Sequence, residues 1–360
     1  MKLNSGKILV GTLMVSASGL AFAQTSGNCS SPLSAYSSYI ANGQTSSAQS
    51  VVANHPECFA GGAVLSNTQI NATAFTQAGA ISRAIASRIS PQARGNLAAI
   101  EGARGLAAGG VAQAWNVWTN VEQNDTRFDY NRTRGANDVL TAVVGADYAL
   151  SQSMVVGVSA AFDNGNSWSR NAGGARNRTD TDGYIVAPYL GYQISKELAF
   201  DVSAGVGSGD FSGRGGVKAD ADRWFAAANL SYARWLGNWQ FSGKASYMHG
   251  EEDYEDTRLN GVRQVNTGSK NKLGQARLGA QAGYWMNGFM PYAGLSYMSN
   301  VHRSSDLGRD PLGRSAFVGS VGVNFFSLSN KISGGVAYEQ DFDRKRASNQ
   351  VFMANVNFRF

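Results

Sequence analysis

The sequence predicts an all-β membrane protein: an antiparallel transmembrane β-barrel of about twelve strands, preceded by a linker helix. Three observations predict this fold. Residues 111–360 form a series of runs in which apolar and polar residues alternate. The connections between these runs are long and short in turn, and the apolar faces carry aromatic residues at both ends. Together they are typical of a barrel in a lipid bilayer.

The alternating runs define the strands. They begin with QAWNVWTNV at residues 113–121 and end with VFMANVNFRF at the C-terminus. In the eighth run, Ala276, Leu278 and Ala280 face one way, whereas Gln275 and Arg277 face the other. A period of two places the apolar side chains on one face of a strand. Bacterial barrels have an even number of tilted strands of about nine to eleven residues, which agrees with about twelve runs.

The connections predict which ends of the strands lie together. Those after odd-numbered runs are long and polar, for example residues 164–182 and 249–272, and those after even-numbered runs are short, such as SQS and LGN. This alternation places every long loop on one side and every short turn on the other, as in barrels with extracellular loops and periplasmic turns. A soluble β-sandwich also has alternating strands, but it gives no reason for such a regular bias.

Aromatic residues on the apolar faces form two groups. Two aromatic bands that flank small and branched apolar residues are typical of the interfaces of a membrane. One group lies near the short turns and the other near the long loops. They are Tyr148, Tyr192, Tyr232, Trp239, Trp285, Phe289 and Phe325 in the first group, and Phe162, Trp224, Tyr247, Tyr297 and Phe317 in the second.

The N-terminus has the pattern of a secretory signal peptide over residues 1–23. Lys2 and Lys7 precede an apolar run at residues 8–20, and the small-residue pattern of residues 21–23 follows. No later stretch has the 18 or so consecutive apolar residues of a transmembrane helix. We therefore expect an exported protein in the outer membrane of a Gram-negative bacterium, with its long loops at the cell surface.

Residues 24–70 form a short segment without a strand pattern. Cys29 and Cys58 lie in it and are the two cysteines of the chain. In an oxidising compartment two cysteines most simply form one disulfide, and two free thiols are the alternative. The sequence therefore predicts a Cys29–Cys58 disulfide that closes a loop ahead of the barrel.

Residues 71–110 are predicted to form the linker helix. Ile81, Ile85 and Ile89 recur every four residues among Ala, Gly and Ser, and the Ser90–Pro91 step ends this first piece. A second, Ala-rich helical piece is expected to follow as far as Gly109 and Gly110. A helix on the protein surface is one interpretation. The other is a helix inside the barrel, because eight strands leave a filled interior and sixteen an open channel. We expect the lumen location for a barrel of about twelve strands.

Charged residues suggest how such a helix is held. Arg83 and Arg88 lie on the predicted helix, and unpaired charge is costly away from water. We therefore expect contacts with acidic side chains that point into the lumen, which are Glu122, Asp147, Asp201 and Glu339.

The main alternative to a non-enzymatic barrel is a catalytic or metal-binding site that contains a histidine. His249 stands beside Glu251 and Glu252 at the loop end of the seventh run, where it could be a base of an outer-membrane hydrolase or a ligand of a divalent cation. A polar loop contains such residues without a function, so we predict no enzyme, no catalytic residue, no metal and no cofactor. The net charge of +6 is scattered, and we therefore expect no nucleic-acid partner.

The order of these features resembles the translocation unit of type V autotransporters over about residues 70–360. AWNVW at residues 114–118, GYIVAPYLGYQI and FMPYAGLSYM are similar to strands of that family. The resemblance implies an outer-membrane barrel through which an N-terminal passenger reaches the surface, with the helix left in the pore. It also implies that Phe358 and Phe360 form the signal that the outer-membrane barrel assembly machinery reads. The segment before the helix is much shorter than the usual passenger.

The expected function is display of the N-terminal segment and the long loops at the cell surface. The expected partners are outer-membrane lipid and lipopolysaccharide, the assembly machinery and a ligand on a host surface. A stand-alone adhesin or pore-type barrel without an exported passenger is the alternative, and an outer-membrane hydrolase is the third hypothesis.

Overall fold

The computed structural model describes most of the barrel and one helix. It covers residues 67–90, 115–130, 133–151, 153–170, 176–213, 216–259, 261–263, 268–303, 313–327 and 331–359, and the single residues 35, 38, 39, 47 and 51. The chain divides into two units, Met1–Phe59 and Ala60–Phe360, and every element named below belongs to the second. The predicted signal peptide, Cys29, Cys58 and Phe360 lie outside the described residues.

The second unit contains a helix followed by antiparallel strands. Helix α1 spans Asn67–Ile89. The strands are β1 Trp115–Tyr130, β2 Thr133–Ala149, β3 Met154–Arg170, β4 Arg176–Gln193, β5 Leu198–Gly213, β6 Val217–Leu236, β7 Trp239–Tyr254, β8 Arg258–Leu259, β9 Val262–Arg263, β10 Ser269–Tyr284, β11 Phe289–Arg303, β12 Ser315–Ser327, β13 Ile332–Phe342 and β14 Ala347–Arg359. The two-residue strands β8 and β9 form a small extension in the connection between β7 and β10.

The twelve long strands close into a barrel. Each pairs with its neighbours in the chain, β10 follows β7, and the ring closes where β1 pairs with β14 over Asn116↔Arg359 to Phe128↔Ala347. Closure leaves these twelve strands without the open sheet edge that a bilayer does not tolerate. The prediction of an antiparallel barrel of about twelve strands is confirmed.

The connections lie at the two ends of the barrel in turn, but their lengths differ less than the sequence predicts. At one end, residues 150–153, 194–197, 237–238, 285–288 and 328–331 join neighbouring strands. We call this the short-turn end, and the opposite end the long-loop end. The tightest turn is at Gly237, whose φ of 62° lies in the left-handed region that favours glycine.

The long connections themselves are shorter than the sequence indicates, because the strands continue into them. Residues 123–137 were expected to be a loop, yet β1 and β2 pair as far as Tyr130↔Thr133. The apolar alternation, which predicts the strands, ends before the hairpin does. The backbone hydrogen bonds of a hairpin need no apolar side chains, so the ladder extends beyond that point.

Side chains alternate between the lumen and the outer surface. On β6, Trp224 faces outward and is 42% exposed, whereas the next residue, Phe225, faces the lumen and is 1% exposed. Leu278 on β10 is 66% exposed on the outer surface. The large apolar side chains that a soluble protein would bury therefore cover the outside of this barrel, as expected for a surface in contact with lipid.

Helix α1 begins at Asn67, four residues before the predicted linker helix, and ends before Pro91. Ser90 still donates a backbone hydrogen bond to Ala86 O at 3.0 Å, which closes the last turn. Residues 91–114, which include the second half of the predicted linker, lie outside the described residues. Among the described helices, none has the length and apolar character needed to cross a bilayer.

Candidate functional site

Helix α1 lies in the barrel lumen, where it packs against β1–β7 and β10. Its apolar face consists of Ile81, Ile85 and Ile89, each no more than 2% exposed. These residues share one apolar cluster with side chains that point inward from the barrel wall, including Trp118 and Phe225. The isoleucine repeat that predicts the helix is therefore also the surface by which the helix adheres to the wall.

One glycine of the wall makes space for this face. A Cβ atom at Gly191 on β4 would lie 2.6 Å from Ile89 Cδ1, which is closer than two carbon atoms can approach. The end of the helix thus fits a position where the wall has no side chain.

Both arginines of the helix pair with carboxylates of the wall. Arg83 Nε donates to Glu122 Oε2 at 3.2 Å, and its Nη2 also donates to Glu122. Arg88 donates to Asp147 from Nε at 3.1 Å and from Nη2 at 2.9 Å. Both pairs use two nitrogen atoms of the guanidinium group, which fixes geometry as well as charge. The structure thus brings together the four residues that the sequence indicates as lumen–helix contacts.

The other two acidic side chains expected to face the helix arginines have different partners. Asp201 on β5 accepts a hydrogen bond from Asn229 Nδ2 at 2.7 Å, and Asn229 also donates to Ser82 Oγ at 3.2 Å. Glu339 on β13 pairs with Arg277 on β10 at 2.8 Å. Inward direction was predictable from strand periodicity. Which carboxylate pairs with which arginine depends on the rotation of the helix about its axis. The two-residue period of the strands does not specify this rotation.

Asp147 has a second buried partner that sequence reasoning missed. Tyr189 OH donates to Asp147 Oδ2 at 2.9 Å and accepts from Trp118 Nε1 at 2.8 Å. Trp118, Tyr189 and Asp147 thus form a chain across β1, β4 and β2 that leads to Arg88. The inward position of Tyr189 in its alternating run is the only sequence signal for this role.

A buried ion cluster holds the other half of the helix. Arg223 on β6 donates from Nη1 to Asp163 Oδ1 at 2.8 Å and from Nε to Glu252 Oε1 at 2.7 Å. The same Nη1 donates to Gln77 Oε1 at 3.2 Å, and Gln77 Nε2 donates to the backbone of Ala161 at 3.1 Å. These three charged residues and Gln77 are each almost completely buried. Gln77 carries no charge, so the sequence offered no reason to select it.

Two glycines of the wall accommodate Arg223. A Cβ atom at Gly183 would lie 2.0 Å from Arg223 Nη1, and one at Gly209 would lie 2.4 Å from Arg223 Cζ. The guanidinium group therefore lies flat against the backbones of β4 and β5.

The helix has a defined direction. Phe75, near its start, packs close to Gly250, four residues before the long-loop end of β7. Arg88 and Ile89, at its end, contact Asp147 and Gly191, which lie just before short turns. The helix therefore runs from the long-loop end toward the short-turn end, where β1 begins.

The helix does not fill the lumen. A cavity of about 250 Å³ lies between the helix and the side of the barrel formed by β11–β14. Lys244, Arg277, Tyr292 and Glu339 line it together with Arg83 of the helix. These side chains make the remaining space polar, as in the interior of membrane barrels that hold water.

The histidine considered as a catalytic base lies outside the lumen. His249 is on the outward-facing side of β7, and its Nε2 is 3.7 Å from Glu251 Oε1. Its ring is 5.5 Å from that of Trp224. The distance to the carboxylate exceeds that of a hydrogen bond. Within the described ranges, no group of three or more His, Cys, Asp or Glu side chains is arranged to hold a metal ion.

Of the predicted assembly signal, the described part is Phe358. It pairs with Val117 on β1 and with Ile332 on β13, and its side chain faces outward. It therefore belongs to the strand that closes the barrel. Whether it is read during assembly stays a prediction.

Solved structures with the same architecture come from several Gram-negative bacteria. The translocator domain of the autotransporter NalP from Neisseria meningitidis matches with a TM-score of 0.54 and 12% identity, over 76% of this chain and 99% of that one. The β-domain of the Bordetella autotransporter BrkA matches with a TM-score of 0.52 and 18% identity, over 69% and 100%. The transport unit of AIDA-I from Escherichia coli matches with 0.51 and 14%, over 74% and 96%. These likenesses establish the fold.

Sequence comparison identifies the family. No curated protein matches the chain. The family model described as the autotransporter β-domain matches residues 112–339, which is well over half of the chain. The matched part corresponds to the barrel from its first strand into β13. The chain therefore belongs to the autotransporter β-domain family, and its barrel is an outer-membrane translocator of a Gram-negative bacterium.

Proposed function

We propose that the barrel carries its own N-terminal segment to the cell surface and that helix α1 afterwards stays in the lumen as a plug. The observation that supports this proposal is the direction of the helix. Its first residues lie at the long-loop end and its last at the short-turn end, and the chain then continues to β1. In this family's membrane topology, a segment that precedes the helix would leave the barrel on the extracellular side.

The contacts of the helix agree with the role of a plug. Small side chains give α1 a narrow cross-section, and the isoleucine face adheres to one side of the wall. The arginine pairs and the Gln77–Arg223 contact then replace water around buried polar groups, which would otherwise be costly to leave unpaired. A helix held by both kinds of contact would narrow the lumen to the polar cavity beside it.

The proposal is tested with a short epitope tag at three positions in the full chain. The test tag is inserted after Gln44. A matched control tag is inserted in the β6–β7 connection after Gly237, at the short-turn end, and a second after Asp343, in the β13–β14 connection at the long-loop end. Intact cells are probed with antibody before and after external protease, and gel mobility with and without heating reports whether the barrel has formed.

We expect the tags at residues 44 and 343 to be detected on intact cells and removed by protease, and the tag at 237 to be detected only after permeabilisation. A tag at residue 44 that behaves like the one at 237, in a folded barrel, would reject export. The function would then be that of a barrel whose loops alone reach the surface.

We also infer that the barrel functions without catalysis. His249 faces outward and lies 3.7 Å from its nearest carboxylate partner, which is a poor arrangement for a general base. His249→Ala should leave surface detection of the residue-44 tag unchanged. Hydrolysis of a peptide or ester substrate by purified protein that is lost in His249→Ala would contradict this inference.

A further inference from the structure

We propose that Gln77, Arg83 and Arg88 determine where the chain stops in the barrel, whereas the apolar face of helix α1 provides adhesion with little preference for one register. This inference rests on the proposed function, in which the helix comes to rest in the lumen after the segment before it has passed. It assigns a positioning role to three polar residues of the helix.

The apolar face repeats itself when the helix moves by one turn. Ile81, Ile85 and Ile89 are four residues apart. A second row, also with a spacing of four, consists only of small and buried side chains, which are Ala74, Ala78, Ser82, Ala86 and Ser90. A shift of four residues, about 6 Å along the axis, therefore exchanges isoleucine for isoleucine and small for small over most of the contact. Apart from Phe75, which is buried and has Gly79 four residues after it, packing distinguishes such registers poorly.

The polar residues do not repeat in this way. A shift of one turn toward the long-loop end would bring Ser87 to the position of Arg83 and leave Glu122, which is 0% exposed, without a cation. The same shift would move Arg88 away from Asp147. Breaking buried ion pairs by removing one partner is strongly unfavourable, so the two arginines oppose movement outward.

Gln77 opposes movement in the other direction. It occupies the position one turn before Ile81, so it stands at the head of the isoleucine row. A shift of one turn toward the short-turn end would place its amide at the position of Ile81, in the apolar cluster, and remove it from Arg223 and Ala161. An amide buried without hydrogen bonds is costly. Polar groups of this kind specify register in other helix assemblies.

The register can be read with crosslinks between the helix and Asn229, whose side chain contacts Ser82 at 3.2 Å. Cys29→Ser and Cys58→Ser provide a background without natural cysteines in the full chain. Ser82→Cys with Asn229→Cys reports the observed register, and Ala86→Cys or Ala78→Cys with Asn229→Cys reports a shift of one turn outward or inward. Outer membranes are treated with a short bis-methanethiosulfonate crosslinker, and linked barrels are resolved by gel mobility.

With the natural polar residues, we expect the residue-82 pair to link about tenfold more than either shifted pair. In Gln77→Ala/Arg83→Ala/Arg88→Ala this preference should fall to about threefold or less. Ser87→Ala is the matched control, because Ser87 is an exposed polar residue of the same helix whose hydroxyl bonds only within the helix, to Ala84 O. It should keep the full preference.

A reciprocal exchange keeps the proposal testable if the triple variant does not assemble. Arg83→Glu alone should lose the preference for the residue-82 pair, and Arg83→Glu with Glu122→Arg should regain it. A triple variant, or an Arg83→Glu variant, that keeps the full preference would overturn the proposal. The two proposals can fail separately. If the residue-44 tag stays hidden but the crosslinks still depend on Gln77, Arg83 and Arg88, export of the N-terminal segment is rejected. The positioning role of the three residues is then still supported.

Discussion

Gln77 on helix α1 accepts a hydrogen bond from Arg223 on β6, with 3.2 Å between Oε1 and Nη1. The same guanidinium group bonds Asp163 on β3 and Glu252 on β7. One neutral side chain thus joins the helix to a buried ion cluster that spans several strands. This contact connects the plug with the stability of the barrel wall, and it makes Arg223 the first residue to test.

Arg223→Ala should lower the free energy of unfolding by about 3–5 kcal/mol, because it leaves Asp163 and Glu252 buried without their cation. The loss is measured by urea unfolding in detergent micelles, followed by tryptophan fluorescence. Arg178→Ala is the matched control, since Arg178 is 69% exposed and its ion pair with Asp180 spans 3.5 Å. The control should change stability by less than about 1 kcal/mol. Equal losses in both variants would contradict the importance of the buried cluster.

Tyr189→Phe should destabilise the barrel by about 1–3 kcal/mol, because it leaves Trp118 Nε1 without its acceptor and removes one donor from Asp147. Tyr184→Phe on the same strand is the control. Its side chain faces outward, so we expect a change within about 0.5 kcal/mol. The same unfolding assay applies, and a Tyr189→Phe variant as stable as the control would show that the hydrogen-bonded chain contributes nothing.

Gly191→Ala should lower stability by about 1–3 kcal/mol, because its Cβ would lie 2.6 Å from Ile89 Cδ1 and push the end of the helix from the wall. Ile89→Ala should also destabilise the protein through lost packing. If the two sites touch, the double variant loses less than the sum of the single losses, by about 1 kcal/mol or more. Additive losses would mean that Ile89 does not pack on Gly191.

Leu278→Arg should reduce stability by about 2–4 kcal/mol, because it places a charge on the lipid-facing surface of β10. Gln281→Arg introduces the same side chain on the same strand, but toward the polar cavity in the lumen. It should cost less than Leu278→Arg, since the new charge would lie in a polar cavity and not in lipid. The heating temperature at which gel mobility changes should separate the two variants. A reversed order would mean that the faces are assigned incorrectly.

Much of the fold was predictable because a membrane barrel imposes simple rules on the chain. Leu278 and Phe162 face lipid while Arg277 and Glu122 face the lumen, and a period of two assigns each of them. The strand ends were less predictable. The pairing of Tyr130 with Thr133 lies beyond the apolar pattern, in residues that read as a loop.

Of the contacts between the helix and the wall, the sequence predicted only those between charged side chains. Arg83, Arg88, Glu122 and Asp147 stand out because unpaired charge in a lumen is unfavourable. Gln77, Tyr189 and Arg223 do not stand out, since a neutral amide, a phenol and one more arginine have no fixed meaning on an alternating strand. Their roles appear when the helix is placed at one depth and one rotation.

The sequence by itself determined the barrel, its number of strands, its two faces and the helix, because lipid, water and the backbone act on every residue through local periodicity. The tertiary structure alone decided which side of the wall the helix touches, in which direction it runs and which partners it selects. These properties depend on contacts between residues far apart in the chain, such as Gln77 and Arg223. The four-residue repeat of the isoleucines does not encode them.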